Sequence, residues 1–279
     1  MKSIILPAAD PSFAWRDRDA GPALVCTALE PVASHFFTTR PWSLGSPHLR
    51  EDARAWQEIA DGFAGDPVRL VRLHQVHGAH AVVADPELAP QDADIVLTDD
   101  PSLVVVVQAA DCVPMLLADR NSGAVAAAHA GWRGLAAGVP RAAVEAMART
   151  FGTDAGDLIV AMGPSIGACC YEVGVDVRRA FEASGVEHRN LDRWFVPAPR
   201  VTTNNPSLPG LSEIRRPGHE FFDGWQSARD QLIAANVNPA QIFSAELCTA
   251  SHPAVCCSYR RDGSRAGRLA GAIRSRRRP

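Results

Sequence analysis

The sequence predicts an α+β fold built on mixed β-sheets, and three observations carry that prediction. Valine-rich runs such as residues 103–107 read as strands buried on both faces. Two further apolar runs, 113–118 and 124–128, flank Asn121-Ser122-Gly123, a turn sequence that makes them an antiparallel hairpin. Helical stripes fall between the strand runs without a regular βαβ alternation, which argues against a doubly wound sheet.

The elements follow in chain order. Leu24 to Phe37 is a mixed apolar segment that predicts one or two strands of an N-terminal hairpin, with a turn-rich piece at 41–47 after it. Ala53, Trp56, Ile59, Ala60 and Phe63 form a helical stripe over 51–63, with Arg54 and Glu58 on the wet side. Val68 to His74 predicts a strand that delivers histidines at its end, and 82–84 extends it or pairs with it. The 113–118/124–128 hairpin then leaves Cys112 and His129 together at its open end. Gly131-Trp132-Arg133-Gly134 is expected to be a loop feeding a helix that starts at Pro140. That helix carries Val144, Met147, Ala148 and Phe151 on one face and stops at Gly152.

A strand at 158–162 closes on Gly163-Pro164, and a helix over 173–183 stops at Gly185. Five prolines and two glycines within 196–218 predict a long irregular loop. Trp225, Ala228, Leu232 and Ala235 mark a third helix, 242–245 a late strand and 255–259 another. Arg260-Arg261-Asp262-Gly263 turns the chain into a short final strand or helix, and residues 274–279 read as a solvated basic tail. No repeat of fixed period divides the chain, so residues 1–279 are expected to form one domain.

With 47% hydrophobic and 21% charged residues, the composition is that of a globular protein able to bury a large core. A formal net charge of -3 gives no basic footprint of a nucleic-acid or membrane partner. The apolar run before Pro7 is too short for a signal-peptide core, and no stretch approaches the roughly 20 apolar residues of a membrane span. Seven cysteines, an odd number, do not read as a disulfide framework. A reducing cytoplasm is the expected setting.

Two imidazoles and a thiol stand out. His77, Cys112 and His129 supply the three-ligand set of a catalytic zinc site, which keeps a fourth position for water or substrate. Small or acidic neighbours, Gly78, Asp111 and Ala130-Gly131, leave room for the backbone and for partners of the ligands. A Cys112 nucleophile with His129 as its base is the competing reading, and needs no metal. His74 and His80 flank His77 at three-residue spacings that put neighbours on opposite faces of a strand, and read as ordinary hydrogen-bonding residues. The pairs Cys169-Cys170 and Cys256-Cys257 read as small buried hydrophobes. Arg40, Arg133, Arg260 and Arg261 lie in loop-like positions where a guanidinium can grip phosphate or carboxylate. Asp111 and Glu172 are the candidate proton carriers.

Eight short motifs then carry a resemblance. They are Gln-Val-His-Gly (75–78), Asp-Ala-Asp (92–94), Ala-Asp-Cys-Val-Pro (110–114), His-Ala-Gly-Trp-Arg-Gly (129–134), Gly-Pro-Ser-Ile-Gly (163–167), Cys-Tyr-Glu-Val (170–173), Cys-Thr (248–249) and Ser-Tyr-Arg-Arg-Asp-Gly (258–263). Together they resemble the multicopper polyphenol oxidase or laccase-domain family, whose bacterial members are also called peptidoglycan editing factor. The resemblance implies a layered α/β/β/α sandwich and one zinc on His77, Cys112 and His129, with copper as the alternative metal. It also implies action on purine nucleosides: deamination of adenosine, and phosphorolysis of adenosine, inosine or methylthioadenosine with phosphate as co-substrate. Arg40 and Arg260 would then be phosphate partners. A Cys/His amide hydrolase that edits peptidoglycan precursors is the alternative.

The chain departs from the family pattern after Arg40, where Gly-Gly-Val-Ser is absent, and at Asp223-Gly224-Trp225. These departures bear on the substrate pocket more than on the metal. Multicopper oxidases build a copper cluster from many histidines in His-X-His pairs. Nine histidines without one such pair argue against laccase chemistry.

Overall fold

The computed structural model describes residues 4–45, 53–63, 67–211 and 216–276. Its strands are buried to a degree that dictates the layering. Leu103–Ala109 is buried at every position but Gln108, and Val113–Asp119 and Val125–Ala130 are buried throughout. A strand without a polar face needs cover on both sides. Here one side is a second sheet and the other is helix.

The first sheet runs in the order 13–16, 23–26, 33–37, 269–275, 103–109 and 69–72. The second runs 242–244, 158–162, 113–119, 125–130, 95–98 and 81–83. Both are mixed: Arg69–Arg72 runs parallel to Leu103–Ala109, and Ile242–Ser244 and Ala81–Val83 run parallel to their neighbours at the two edges of the second sheet. Between the sheets, Phe37, Val105, Val107 and Ile273 meet Val96, Leu116, Ala127 and Ala161. Val104 and Val106 point the other way, onto Trp56 and Ile59 of the Ala53–Asp61 helix. The Val139–Phe151 and Gly224–Ala234 helices cover the far side of the second sheet over Met115, Leu117, Ala126 and Ala128. The result is the α/β/β/α order of layers. Among the described residues no helix is long and apolar enough to cross a membrane.

Several local expectations are corrected. Residues 132–134 are not loop: Trp132–Ala136 is a short helix, held by the burial of Leu135 rather than by helix propensity. Gly138, at φ 82°, separates it from the helix that begins at Val139, one residue before Pro140. The helix expected over 173–183 starts at Val175, because Glu172–Gly174 pairs with His219–Phe222 in a third, three-stranded sheet with Phe195–Val196.

Residues 255–259 form no strand. Cys256 N–H turns back onto the His252 carbonyl, and Ser258 caps a Tyr259–Asp262 helix by accepting from the Arg261 amide. The stripe of the first helix is rotated, with Ala55 buried in place of Ala53. Residues 51–52 of that expected helix and 46–47 of the turn-rich piece lie outside the described residues.

The last of the described strands is central to its sheet. Leu269–Ser275 lies between Ala33–Phe37 and Leu103–Ala109, so Arg274 belongs to the sheet rather than to a tail, and its Nε donates to the Pro101 carbonyl. Residues 277–279 lie outside the described residues. Within 196–218, Val196 closes a two-residue strand, and the described residues after it hold no helix or strand before His219. Ala81–Val83 belongs to the second sheet and pairs with Ile95–Thr98, not with the 69–72 strand. The chain therefore crosses from one sheet to the other over 73–80, the segment that carries the histidines.

Candidate metal centre

The crossing segment is fixed by a carboxylate. Asp94 is fully buried, and the amides of Val76, His77 and Gly78 donate to its oxygens at 3.3, 3.0 and 2.6 Å. Wrapping three consecutive N–H groups round one anion puts His77 at φ 61°, a left-handed conformation that a side chain adopts only when its surroundings demand it. The same Asp94 faces His129 Nδ1 at 2.8 Å, and its carbonyl accepts from the His129 amide at 2.8 Å. With Nδ1 donating to Asp94, Nε2 of His129 is left free as a ligand or base. Burial would raise the Asp94 carboxyl, but the bonds to His129, Gly78 and His77 hold it below the usual carboxylate range.

The hairpin supplies the other two groups. Val113 lies opposite Ala130 and Pro114 opposite His129, so Cys112 and His129 meet at its open end. The His77 and His129 rings stand edge to face with centroids 4.8 Å apart. The ligand atoms of His77, Cys112 and His129 all lie within 4.8 Å of one another. Gly131 is required by space: a Cβ there would come within 2.8 Å of Cys112 Sγ and 3.0 Å of His77 Cδ2.

Burial pushes the Cys112 thiol up, yet the adjacent His129 and His77 outweigh it and bring the thiol down to about 6. Burial works to lower His129, and the Cys112 thiolate and Asp94 carboxylate reverse that and raise it to about 9. A thiolate beside two imidazoles, one of them oriented by a carboxylate, is a donor set that suits zinc and that mononuclear copper sites also use. His129 is buried and His77 exposed, so the group opens toward solvent on the His77 side. Two further donor residues of the neighbouring motifs, His74 and Cys170, are engaged elsewhere. His74 Nδ1 sits 2.6 Å from Asp92, and Cys170 Sγ packs against Ser251 at 3.5 Å. His80 is likewise turned to the Asp92 carbonyl.

Asp111, next to Cys112 in the chain, ties distant segments to the Cys112 turn. Asp111, at φ 93°, accepts from Thr249 Oγ1 at 2.6 Å and from the Arg260 amide at 2.6 Å, and burial raises its carboxyl. Arg260 lies over the Tyr171 ring and donates from Nη1 to the Glu172 carbonyl at 2.7 Å. Arg133 is exposed on the 132–136 helix, with its guanidinium over Trp132. Arg40 Nη1 is held by the Pro253 carbonyl at 2.9 Å. The Glu172 carboxylate is buried and faces Arg216 at 3.5 Å.

Asp94, Tyr171 and Arg268 were not singled out by the sequence reading. Burial raises the Tyr171 hydroxyl and lowers Arg268, and both lie in the fields of Cys112 and Asp111. The Asp-Ala-Asp (92–94) and Cys-Tyr-Glu-Val (170–173) motifs contain Asp94 and Tyr171, while nothing local marks Arg268. Cys169, Cys170 and Cys248 form a second close group of sulfurs that sequence spacing had kept apart.

Comparison with known proteins places this arrangement in a family. A protein named purine nucleoside phosphorylase PA4543, from Pseudomonas aeruginosa, is 38% identical over 227 residues, covering 81% of this chain and 83% of its own. A protein named adenosine deaminase RL5, from an unknown prokaryotic organism, is 32% identical over 209 residues, 71% of this chain and 72% of its own. The crystal structure of the Bacillus licheniformis hypothetical protein YfiH superposes with a TM-score of 0.77 at 24% identity, covering 94% of this chain and 99% of that one, so the two share a fold. Residues 50–276 match the family described as multi-copper polyphenol oxidoreductase laccase, and the chain belongs to that family.

Proposed function

We propose that the chain is a zinc-dependent purine nucleoside enzyme, acting by phosphorolysis of adenosine, inosine or methylthioadenosine and by deamination of adenosine. The observation that carries this reading is the convergence of His77, Cys112 and His129, open on one side to solvent, with the Arg268 guanidinium in the field of the Cys112 thiolate. Relatives named purine nucleoside phosphorylase and adenosine deaminase support the substrate class. His77, Cys112 and His129 would hold the zinc ion, which would supply a Lewis acid and a water of near-neutral pKa.

The chain's own residues do the rest. Asp94 sets the His129 tautomer and the His77 loop. Arg260, pre-oriented over Tyr171 and by the Glu172 carbonyl, grips a phosphate or nucleoside oxygen, with Arg133 and Arg40 as further cationic partners. Asp111 has both oxygens engaged and acts chiefly as a positioning residue that ties the Cys112 turn to Thr249 and Arg260. Glu172, with the freer carboxylate, is the proposed proton carrier.

Metal analysis of the purified protein beside His77→Ala and Cys112→Ala tests the centre. The reading expects about one zinc per chain in the parent and loss in both variants; retention near one in both overturns it. A panel of purine nucleosides with and without phosphate, followed by product chromatography, tests the chemistry. Phosphate-dependent release of free base supports phosphorolysis, and inosine from adenosine supports deamination. Turnover of no nucleoside transfers the weight to the Cys112/His129 amide hydrolase. That reading expects activity which survives chelation and is lost on thiol alkylation.

A further inference from the structure

Three thiols outside the centre described above come together from two separated parts of the chain. Cys169 and Cys170 lie in the turn after the 163–167 segment, where the Cys170 amide donates to the Gly167 carbonyl at 2.9 Å. Cys248 is brought to them by a bridge between Ser165 and Cys248, reinforced by the Thr249 amide donating to the Ser165 carbonyl at 3.0 Å. All three are at most 2% exposed, none is in a disulfide, and their sulfurs lie within 4.8 Å of one another. Reading Cys169 and Cys170 as ordinary buried hydrophobes accounts for their burial but not for the convergence of a third sulfur.

We propose that Cys169, Cys170 and Cys248 form a second metal site, a three-thiolate pocket for copper(I). The donor chemistry selects the ion. Sulfur is a soft ligand that favours copper(I), zinc or iron–sulfur clusters, while calcium and magnesium require oxygen. Zinc in a closed protein site takes four donors of nitrogen, sulfur or carboxylate oxygen. Here Ile166, Ala250, Leu208 and Trp225 pack round the sulfurs, the Ser251 hydroxyl, 3.5–3.6 Å from Cys170 and Cys169, is a poor substitute, and the neighbouring His252 is turned to Asn205, its Nε2 3.3 Å from the side-chain oxygen.

Three sulfurs round an ion in a plane, at bonds of about 2.3 Å, stand about 4 Å apart, a spacing the triad can reach by small side-chain rotations. The Gly167 amide donates to Cys248 Sγ at 3.4 Å, which favours a thiolate there. Each coordinated thiol gives its proton to solvent, and the ion enters already reduced, so no electron is transferred. Cys169 forms part of the wall of a cavity of about 770 Å³ beside Asn205, Trp225 and Ser244, which supplies the way in.

Anaerobic titration of the full chain with bicinchoninate-buffered copper(I) tests the site in a Cys112→Ala background, which removes the competing thiolate. One equivalent should bind, with an X-ray absorption spectrum of three sulfur neighbours. Adding Cys248→Ser or Cys169→Ser should abolish the uptake, and adding Cys26→Ser, a buried thiol elsewhere, should leave it intact. Circular dichroism establishes that each variant is folded; should Cys248→Ser unfold the chain, Cys169→Ser decides the matter. No uptake by Cys112→Ala, equal uptake with and without Cys169, or nitrogen-dominated coordination overturns the proposal.

Discussion

Asp94 does more for the candidate centre than any residue that would touch a ligand, because one buried carboxylate holds both histidine segments. Asp94→Asn preserves volume but replaces an acceptor oxygen by an NH2 group that cannot accept from the Gly78 or His77 amide. Metal affinity should fall by about ten- to a hundredfold, as measured by competition with a chelator, while the far-ultraviolet spectrum stays unchanged. Equal affinity in parent and variant would show that Asp94 only shapes the loop. His77, Cys112 and His129 were legible in the sequence because their types match a donor set and their neighbours are small or acidic. Asp94 was not, since Asp92 and Asp94 look equivalent in the motif. Tertiary structure separates them: Asp92 faces the exposed His74 at the surface, while Asp94 enters the core beside His129.

Among the elements, Ala33–Phe37 carries a buried titratable group with a definite pH signature. His35 is 4% exposed; its Nε2 accepts from the Cys26 amide at 2.9 Å, and Nδ1 faces the Ala33 carbonyl. Burial is the main cause that pushes this imidazole down to about 4. A folded pKa below the unfolded value means that the neutral form is the stabilising one. The contribution is complete above about pH 6.5 and is lost as pH falls toward 4, an amount on the order of 3 kcal/mol. Thermal melts between pH 7 and 4 should decline more steeply for the parent than for His35→Gln; parallel declines would remove His35 as the cause. The Val113–Asp119/Val125–Ala130 hairpin was legible from its turn sequence and apolar runs. The 132–136 helix was not, because five residues with two glycines nearby carry little local signal and fold only against the packed Leu135.

For the whole molecule, the stack of two sheets depends on a few large side chains at their interface. Phe37 is one: its ring occupies the space a Cβ would need at Gly163 of the second layer and lies 3.1 Å from the Cβ position of Gly271 in its own sheet. Removing the ring opens a cavity between layers that rigid strands cannot close. Phe37→Ala is therefore expected to cost about 3–5 kcal/mol, read as a lower urea midpoint with little change in slope. A loss below about 1 kcal/mol would mean that the layers repack. Gly163 also begins the segment in which the Ile166 amide donates to the Asp111 carbonyl at 3.0 Å, so the interlayer core and the candidate centre share a support.

The sequence by itself determined the α+β class, the hairpin, the run of unalternating strands and the three residues of the candidate centre. Each of those follows from local rules: side-chain period, turn chemistry and ligand type. Only the tertiary structure decided which sheet Ala81–Val83 joins, that the last strand lies between Ala33–Phe37 and Leu103–Ala109, that Asp94 faces both histidine segments and that Cys248 meets Cys169 and Cys170. These are pairings between residues far apart in the chain. They are chosen by the burial of whole faces and the satisfaction of buried polar groups, neither of which leaves a mark on neighbouring letters.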